Sequence, residues 1–233
     1  MAFLNAQEKI CFLHIHNTGG TSILKWLEKN IKNNLCRTSS FLPLDKLIRK
    51  VISISKLDYY SSSGSLLSIR TRFAHNGGHL LYRDIAPWAL NNIPGLRFMA
   101  VVRDPCDHIT SSYSYLRKMA AFKGWSDKEL PSLNEYIVKR CNNDLITDQS
   151  NFLVNARGEL SKNIKIIRYE NLQEEFSDFL LSLSPKFEDI DSKLNKENQR
   201  PEKYKNLVSQ INVESRSLIR NAFKRDYSLL GYN

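Results

Sequence analysis

The sequence predicts a three-layer α/β fold, a parallel β-sheet with helices on both faces, in a single domain over residues 1–233. Short apolar runs alternate along the chain with segments in which apolar residues recur at helical spacing. Two of the apolar runs end in a polar turn that leads directly into such a segment. Strands that alternate with helices are typical of parallel sheets that bind ligands at the carboxyl ends of their strands. A length of 233 residues and a hydrophobic content of 42% suit one sizeable core.

The first strand–turn–helix segment begins with the apolar run at residues 10–15. Two adjacent glycines follow in the turn, and Ile23, Trp26, Leu27 and Ile31 then recur at the spacing of a helix. The first turn of a helix has unpaired N–H groups and the positive end of the helix dipole, so this turn is a candidate site for a nucleotide phosphate. It is not a Walker A loop, because it lacks the lysine of that motif. The alternative is that the glycines serve only the conformation of the turn.

The second such segment lies in the middle of the chain. Residues 96–102 (LRFMAVV) predict a buried strand, and Asp104 and Pro105 suit the N-cap and the first position of the helix that follows. Arg103 at the end of this strand and Ser111 about two turns into the helix can together chelate one phosphate. An aspartate cap with a surface ion pair is the alternative interpretation.

The rest of the pattern predicts further elements. Strands are expected at residues 66–74 and 164–168, loops at 59–65 and 194–204, and a short helical turn between 87 and 95. Helices are expected at residues 44–52, 133–140, 146–154, 170–183 and 214–223.

Composition narrows the class of partner. A formal charge of +10, from 34 basic and 24 acidic residues, favours an anionic cofactor, acceptor, membrane surface or nucleic acid without choosing among them. No nucleic-acid motif accompanies the charge, and no apolar stretch approaches the roughly twenty residues of a membrane span. The four cysteines are scattered without metal-ligand spacing, and no signal peptide is visible. We therefore expect a cytoplasmic protein with no membrane span and no nucleic-acid partner.

The two turns together resemble the two cofactor signatures of sulfotransferases that use 3′-phosphoadenosine 5′-phosphosulfate (PAPS). The resemblance is to the carbohydrate type, which includes the heparan sulfate 2-O- and 6-O-sulfotransferases, and to its bacterial relatives. HNTGGTS resembles the family's PKTGGTS, which cradles the 5′-phosphosulfate, and the matching positions are Thr18, Gly19, Gly20, Thr21 and Ser22. RDPCDHITSSY resembles the family's RDPxxRxxSxY, which binds the 3′-phosphate, and the matching positions are Arg103, Asp104, Pro105, Ser111 and Tyr113. The segments IKIIRYENLQEEF and DYSLLGY also resemble later parts of the family pattern.

The resemblance implies a P-loop-like fold and an activity. A sulfuryl group would move from PAPS, without a metal, to an acceptor hydroxyl of a carbohydrate, and an anionic saccharide would suit the positive charge. A catalytic base is implied by FAHNGGHLLYRD, which resembles the HGHxxYxDF pattern of heparan-type enzymes. His79 aligns with the second histidine of that pattern and is the expected general base, with His75 as the alternative.

Two departures from the family pattern leave other functions open. Asn17 stands where the family has a lysine, and His108 replaces the inner arginine of the second signature. A neutral donor contributes about half as much as a charged one, so Asn17 predicts slow turnover. A catalytically weak or inactive nucleotide-binding protein is therefore one alternative. A metal hydrolase is another, because His14-x-His16 and His75-xxx-His79 have spacings found in zinc sites.

Overall fold

A computed structural model describes residues 2–5, 7–31, 36–37, 79, 81–142, 148–188, 191–195 and 202–232. The chain divides into two compact units. The first unit comprises Met1–Val101 and Phe152–Asn195, and the second comprises Val102–Asn151 and Lys196–Asn233. The single domain expected from the sequence stays a prediction.

Strands and helices alternate along the described chain. The strands are β1 (Ala2–Asn5), β2 (Ile10–Leu13), β3 (Cys36–Arg37), β4 (Arg97–Val102) and β5 (Ile164–Arg168). The helices are α1 (Gly20–Asn30), α2 (Tyr82–Asn92), α3 (Pro105–Phe122), α4 (Leu133–Cys141), α5 (Leu172–Leu183), α6 (Val213–Ala222) and α7 (Lys224–Leu230).

The sheet has the strand order β3-β1-β2-β4-β5 and is mixed. β2 and β4 run parallel, in the register Phe12 opposite Met99, whereas β1 runs antiparallel to both of its neighbours. The predicted α/β architecture is confirmed, but the prediction of an entirely parallel sheet is wrong. The connection from β1 to β2 is too short for the crossover that parallel strands need, so the two strands pair as a hairpin.

Helices cover both faces of the sheet in the first unit. Successive residues of a strand point to opposite faces. Phe12 of β2 and Met99 of β4 join the core that α1 and α5 complete with residues such as Leu27 and Phe176. On the opposite face, the ring of Phe98 meets that of Tyr82 in α2 edge-on, with centroids 4.9 Å apart.

Helix α2 is longer than the sequence predicts. It runs from Tyr82 to Asn92 and contains Pro87, whereas Pro87 and Pro94 predict only a short helical turn between residues 87 and 95. Its buried side chains, Tyr82, Ala86, Trp88 and Ala89, give it a continuous apolar face. Tertiary packing of that face outweighs the missing backbone N–H of the proline.

The second unit is built from helices α3, α4, α6 and α7. As predicted, Asp104 caps α3 by accepting a hydrogen bond from the N–H of Asp107 at 3.0 Å, and Pro105 occupies the first helical position. The apolar core of this unit includes Ile109, Tyr113, Leu133, Ile137, Ile219 and Phe223. The helix predicted over residues 146–154 is not present in its described part, which forms only a 3-10 turn, Gln149–Phe152.

Several predictions lie outside the described residues. These are the helix at 44–52, the loop at 59–65, the strand at 66–74, most of the loop at 194–204, and His75. Within the described ranges, Cys11, Cys106 and Cys141 are free thiols. None of the helices in the part of the chain that the structure describes has the length and apolar character needed to cross a membrane.

Candidate functional site

The glycine turn of the first unit joins β2 to α1. The hydroxyl of Thr18 is fully buried and donates to the carbonyl oxygen of Ile15 at 2.8 Å, which closes the turn. Asn17 and Gly19 both have left-handed backbone conformations, with φ of 60° and 84°. Asparagine is one of the few side chains that tolerate this conformation, so the backbone gives a structural reason for an asparagine at position 17.

Both glycines of the turn are required by packing. A Cβ atom on Gly20 would lie 2.3 Å from Cδ2 of His14 and 2.9 Å from Cζ of Phe12. A Cβ atom on Gly19 would lie 2.7 Å from the ring of Tyr169. These distances are too short for any side chain, so the glycines by themselves do not indicate a phosphate.

The N-terminal end of helix α1 is a better indication of an anion site. Among the described residues no side chain makes a capping hydrogen bond to this helix, and its first turn contains no acidic residue. The hydroxyl-bearing residues Thr21 and Ser22 lie in that first turn, with Ser22 buried and Thr21 half-buried. An uncapped N-terminus next to a strand end offers N–H donors and a favourable dipole to a negatively charged group.

Three histidines cluster in the same unit. The His79 ring lies edge-on to that of His16, with centroids 4.3 Å apart, and 5.2 Å from that of His14. Phe152 flanks His16 and His79, at 5.6 and 6.3 Å. Nδ1 of His79 forms a hydrogen bond with the carbonyl oxygen of His14. A carbonyl can only accept, so Nδ1 carries the proton, and Nε2 of neutral His79 keeps a lone pair that can accept one.

Burial disfavours the charged forms of His14 and His79. Desolvation, together with the nearby His16, lowers the pKa of His79 to about 3. The pKa of His14 is also well below its ordinary value, because the ring is buried and lies beside His79. Nδ1 of His14 has no hydrogen-bond partner among the described residues. His79 therefore has the protonation state of a general base but is a weak one without a neighbouring negative charge.

The second unit holds a different arrangement around Arg103, which follows β4 directly. Its guanidinium is buried, donates from Nη1 to Oγ of Ser111 at 3.1 Å, and pairs through Nε with the carboxylate of Asp107. The structure therefore brings Arg103 and Ser111 together, and adds Asp107, which the sequence analysis missed. Asp107 and Ser111 lie one turn apart on the same face of α3, and Arg103 contacts both from the position just before the helix cap.

The backbone of Arg103 is held by a side-chain amide. Oε1 of Gln149 accepts from the Arg103 N–H at 2.9 Å, and Nε2 donates to the Arg103 carbonyl at 2.8 Å. The fully buried carboxylate of Asp226 accepts from the N–H groups of Gln149 and Ser150, at 2.9 and 2.8 Å. No sequence signal marks Gln149, which was predicted to lie within a helix. Asp226 belongs to the terminal segment DYSLLGY, whose resemblance to the family pattern predicted no role for this residue.

Two other residues of the second signature have structural partners. The hydroxyl of Tyr113 donates to the carbonyl oxygen of Pro131 at 3.0 Å and accepts from Nε of Arg117 at 2.9 Å. His108 is buried with its ring 6.3 Å from that of Phe223. The hydrogen bonds of Tyr113 account for its hydroxyl within the unit.

The described residues contain no group of three or more histidine, cysteine or acidic side chains that could hold a metal ion. Comparison of the chain with protein-family models, curated proteins and solved structures found no match.

Proposed function

We propose that this protein transfers a sulfuryl group from PAPS to an acceptor hydroxyl, with a carbohydrate as the acceptor class. The contact between Arg103 and Ser111 carries the proposal. These residues lie eight positions apart, meet at 3.1 Å directly after a buried strand, and stand in the order and spacing of the family's second signature. An arginine with a hydroxyl beside it suits a phosphate, because the planar guanidinium can bind two phosphate oxygens at once.

The glycine turn also supports the proposal. Backbone N–H groups of Thr18 to Thr21, with the hydroxyls of Thr21 and Ser22, would hold the 5′-phosphosulfate, whereas the Ser22 N–H already donates to the Gly19 carbonyl at 3.1 Å. Arg103 and Ser111 would hold the 3′-phosphate. The uncapped end of α1 fits a negatively charged group, since no carboxylate of its first turn competes for the same donors. PAPS supplies the activated sulfuryl group, and the residues named here bind and orient it.

His79 would accept the proton of the acceptor hydroxyl at Nε2. Its bond to the His14 carbonyl fixes the ring tautomer and leaves this nitrogen as the base. With a pKa of about 3 it would accept a proton poorly on its own. Negative charge within a few ångströms favours the imidazolium, so the bound anion would raise this pKa toward the range of a useful base.

A nucleotide-binding protein with little or no turnover is the second candidate. The observation that favours it is Asn17, which carries no charge to stabilise the leaving group and whose left-handed φ of 60° suits asparagine better than lysine. This candidate shares the binding residues of the first and differs from it only in catalysis. The metal hydrolase receives no support from the described residues, and His75, one of its expected ligands, lies outside them.

The test is thermal unfolding with and without 3′-phosphoadenosine 5′-phosphate (PAP), the desulfated cofactor. PAP at a hundred times its Kd should stabilise the wild type by about 2.7 kcal/mol. Arg103→Ala should lose this increment. Arg117→Ala removes a hydrogen-bonded arginine of helix α3. This variant should still be stabilised by PAP, even if the substitution changes its stability without PAP.

A transfer assay then separates the two candidates. Radiolabelled PAPS is incubated with the protein and a panel of sulfated and unsulfated saccharides, and label in the saccharide is measured. Label that disappears in His79→Gln supports the sulfotransferase. A PAP shift without transfer to any saccharide supports the nucleotide-binding protein, and no PAP shift in the wild type contradicts both.

A further inference from the structure

The side-chain amide of Gln149 makes the same pair of bonds to Arg103 that a neighbouring strand would make. It accepts from the Arg103 N–H at 2.9 Å and donates to the Arg103 carbonyl at 2.8 Å. These two groups belong to the peptide planes on either side of the Arg103 Cα atom. An amide that binds both fixes the direction in which the arginine side chain leaves the backbone.

Asp226 determines which way this amide faces. Its carboxylate accepts from Nε2 of Gln149 at 3.3 Å, in addition to the N–H groups of Gln149 and Ser150. A carboxylate accepts only, so it attracts the donor nitrogen of the amide and leaves Oε1 toward the Arg103 N–H. Gln149 and Asp226 are both fully buried, and hydrogen bonds in such surroundings hold groups firmly.

We propose that Gln149 and Asp226 are positioning residues that hold the guanidinium of Arg103 in place to bind a phosphate. The inference rests on the proposed function for the identity of the anion, and it adds two residues that act through Arg103 without touching the ligand. An anion site that depends on one arginine needs this support, because a side chain displaced by about an ångström loses most of its directed bonds. Arg103 lies between the last residue of a strand and a helix cap, and the Gln149 amide binds both its backbone N–H and its carbonyl.

The first experiment tests the positioning without any nucleotide. Hydrogen exchange at Nε of Arg103 is measured by NMR in the wild type, Gln149→Met and Asp226→Asn. Both variants should exchange this proton at least about tenfold faster, the change expected when a well-formed hydrogen bond to a charged group loosens. Nε of Arg117, bonded to Tyr113 in the same unit, serves as the internal reference and should keep its rate. Unchanged exchange at Arg103 in a folded variant overturns the inference.

Asn134→Ala is the matched control. Asn134 also uses a side-chain amide to bind backbone groups of a loop in this unit, donating to the Gln210 carbonyl at 3.4 Å and accepting from the Asn212 N–H at 3.2 Å. Its removal should leave exchange at Arg103 unchanged. If Gln149→Met does not fold, the isosteric Asp226→Asn supplies the result, because it keeps the volume of the carboxylate, removes its charge and replaces one acceptor oxygen with a donor NH2 group.

The second experiment compares PAP with adenosine 5′-phosphate, which lacks the 3′-phosphate. Gln149→Met and Asp226→Asn should weaken PAP binding about tenfold while adenosine 5′-phosphate binds as in the wild type. Equal weakening of both nucleotides would mean a general structural role and overturns the inference. If exchange at Arg103 accelerates but the wild type binds neither nucleotide, the proposed function fails while the positioning of the guanidinium stands.

Discussion

Protonation of His79 should make the stability of the fold depend on pH in the mildly acidic range. The pKa of His79 is about 3 in the folded protein, against an ordinary value of 6.5. Between these values the unfolded chain binds a proton that the folded chain excludes, so the stability is fully present above pH 6.5 and is lost as the pH falls. Lowering the pH from about 6.5 to about 5 should therefore cost about 2 kcal/mol, at 1.36 kcal/mol per pH unit.

The assay is urea unfolding of the wild type and His79→Gln at a series of pH values from about 5 to 7.5. Other groups titrate in this range as well. Asp148 acts in the opposite direction, because burial and the nearby Asp226 raise its pKa from 3.8 to about 6. Its contribution is present below pH 3.8 and is lost as the pH rises through 6. Asp148 is unchanged in His79→Gln, so its contribution cancels in the difference between the two proteins. That difference reports on His79 together with His14, because the His79 ring also lowers the pKa of His14.

The expected result is a difference in unfolding free energy that changes by about 2 kcal/mol, in favour of His79→Gln, as the pH is lowered across this window. Curves that stay parallel from neutral to acidic pH would refute the reasoning. They would mean that His79 takes up its proton in the folded state as readily as in the unfolded chain. Nuclear magnetic resonance titration of the His79 ring provides a direct reading of the same pKa.

Three further predictions concern the glycine turn of the first unit and Asp148, which lies near Asp226 in the second unit. Gly20→Ala should lower the unfolding free energy by about 3 kcal/mol, as expected for overpacking against the His14 ring. The control Gly95→Ala should cost only about 1 kcal/mol, from its positive φ, because its Cβ would meet only the flexible end of Lys9 at 3.5 Å. Equal urea midpoints for the two variants would contradict this. Asn17→Lys should lower the unfolding free energy by about 1 kcal/mol, because position 17 has a left-handed backbone. If the missing charge limits turnover, the same variant should raise sulfuryl transfer to saccharides. Asn17→Gly, the control for the backbone, should leave sulfuryl transfer unchanged. Asp148→Asn should raise the unfolding free energy at pH 7 by about 2 kcal/mol. This is less than the full shift of the Asp148 pKa from 3.8 to about 6 implies, because solvent screens the partly exposed carboxylate. Urea unfolding measures the gain, which should nearly vanish by about pH 4.

The elements that the sequence predicts well are those with local signals. β4 ends where the apolar run meets Arg103, and α3 begins after a capping aspartate and a proline, as predicted. β5 at Ile164–Arg168 and α5 at Leu172–Leu183 also follow their apolar periodicity. In each case the pattern that forms the element lies within the element itself.

The predictions that fail depend on distant partners. Ala2–Asn5 becomes a strand because β2 and β3 pair with it, and four residues show no period of their own. The backbone N–H groups of Gln149 and Ser150 bind Asp226 instead of continuing a helix. The helix that the apolar spacing predicts over residues 146–154 therefore does not form in its described part. Helix α7, which carries Asp226, follows α6 almost without a break and was not predicted.

In the candidate site, too, the contacts between residues close in sequence could be predicted and those between distant residues could not. The contact of Arg103 with Ser111 could be predicted, because both residues lie on one short stretch of chain and a helix sets their spacing. Gln149 and Asp226 could not, since they lie 46 and 77 residues further along from the groups they bind. The resemblance of the turn to a phosphate loop did not reveal that Thr18 closes the turn through Ile15, or that His14 occupies the space beside Gly20.

The buried carboxylate of Asp226 also bears on the order of events during synthesis. Chains emerge from the ribosome amino end first, and early parts of a protein can begin to fold before later parts exist. Asp226 leaves the ribosome 77 residues after Gln149, so a nascent chain that already contains Arg103 and Gln149 still lacks the group that orients the amide. Contacts between such distant residues form slowly, because a long loop must close first. We expect the arrangement around Arg103 to form late, and a chain halted before residue 226 to leave it unformed however well its sheet has folded.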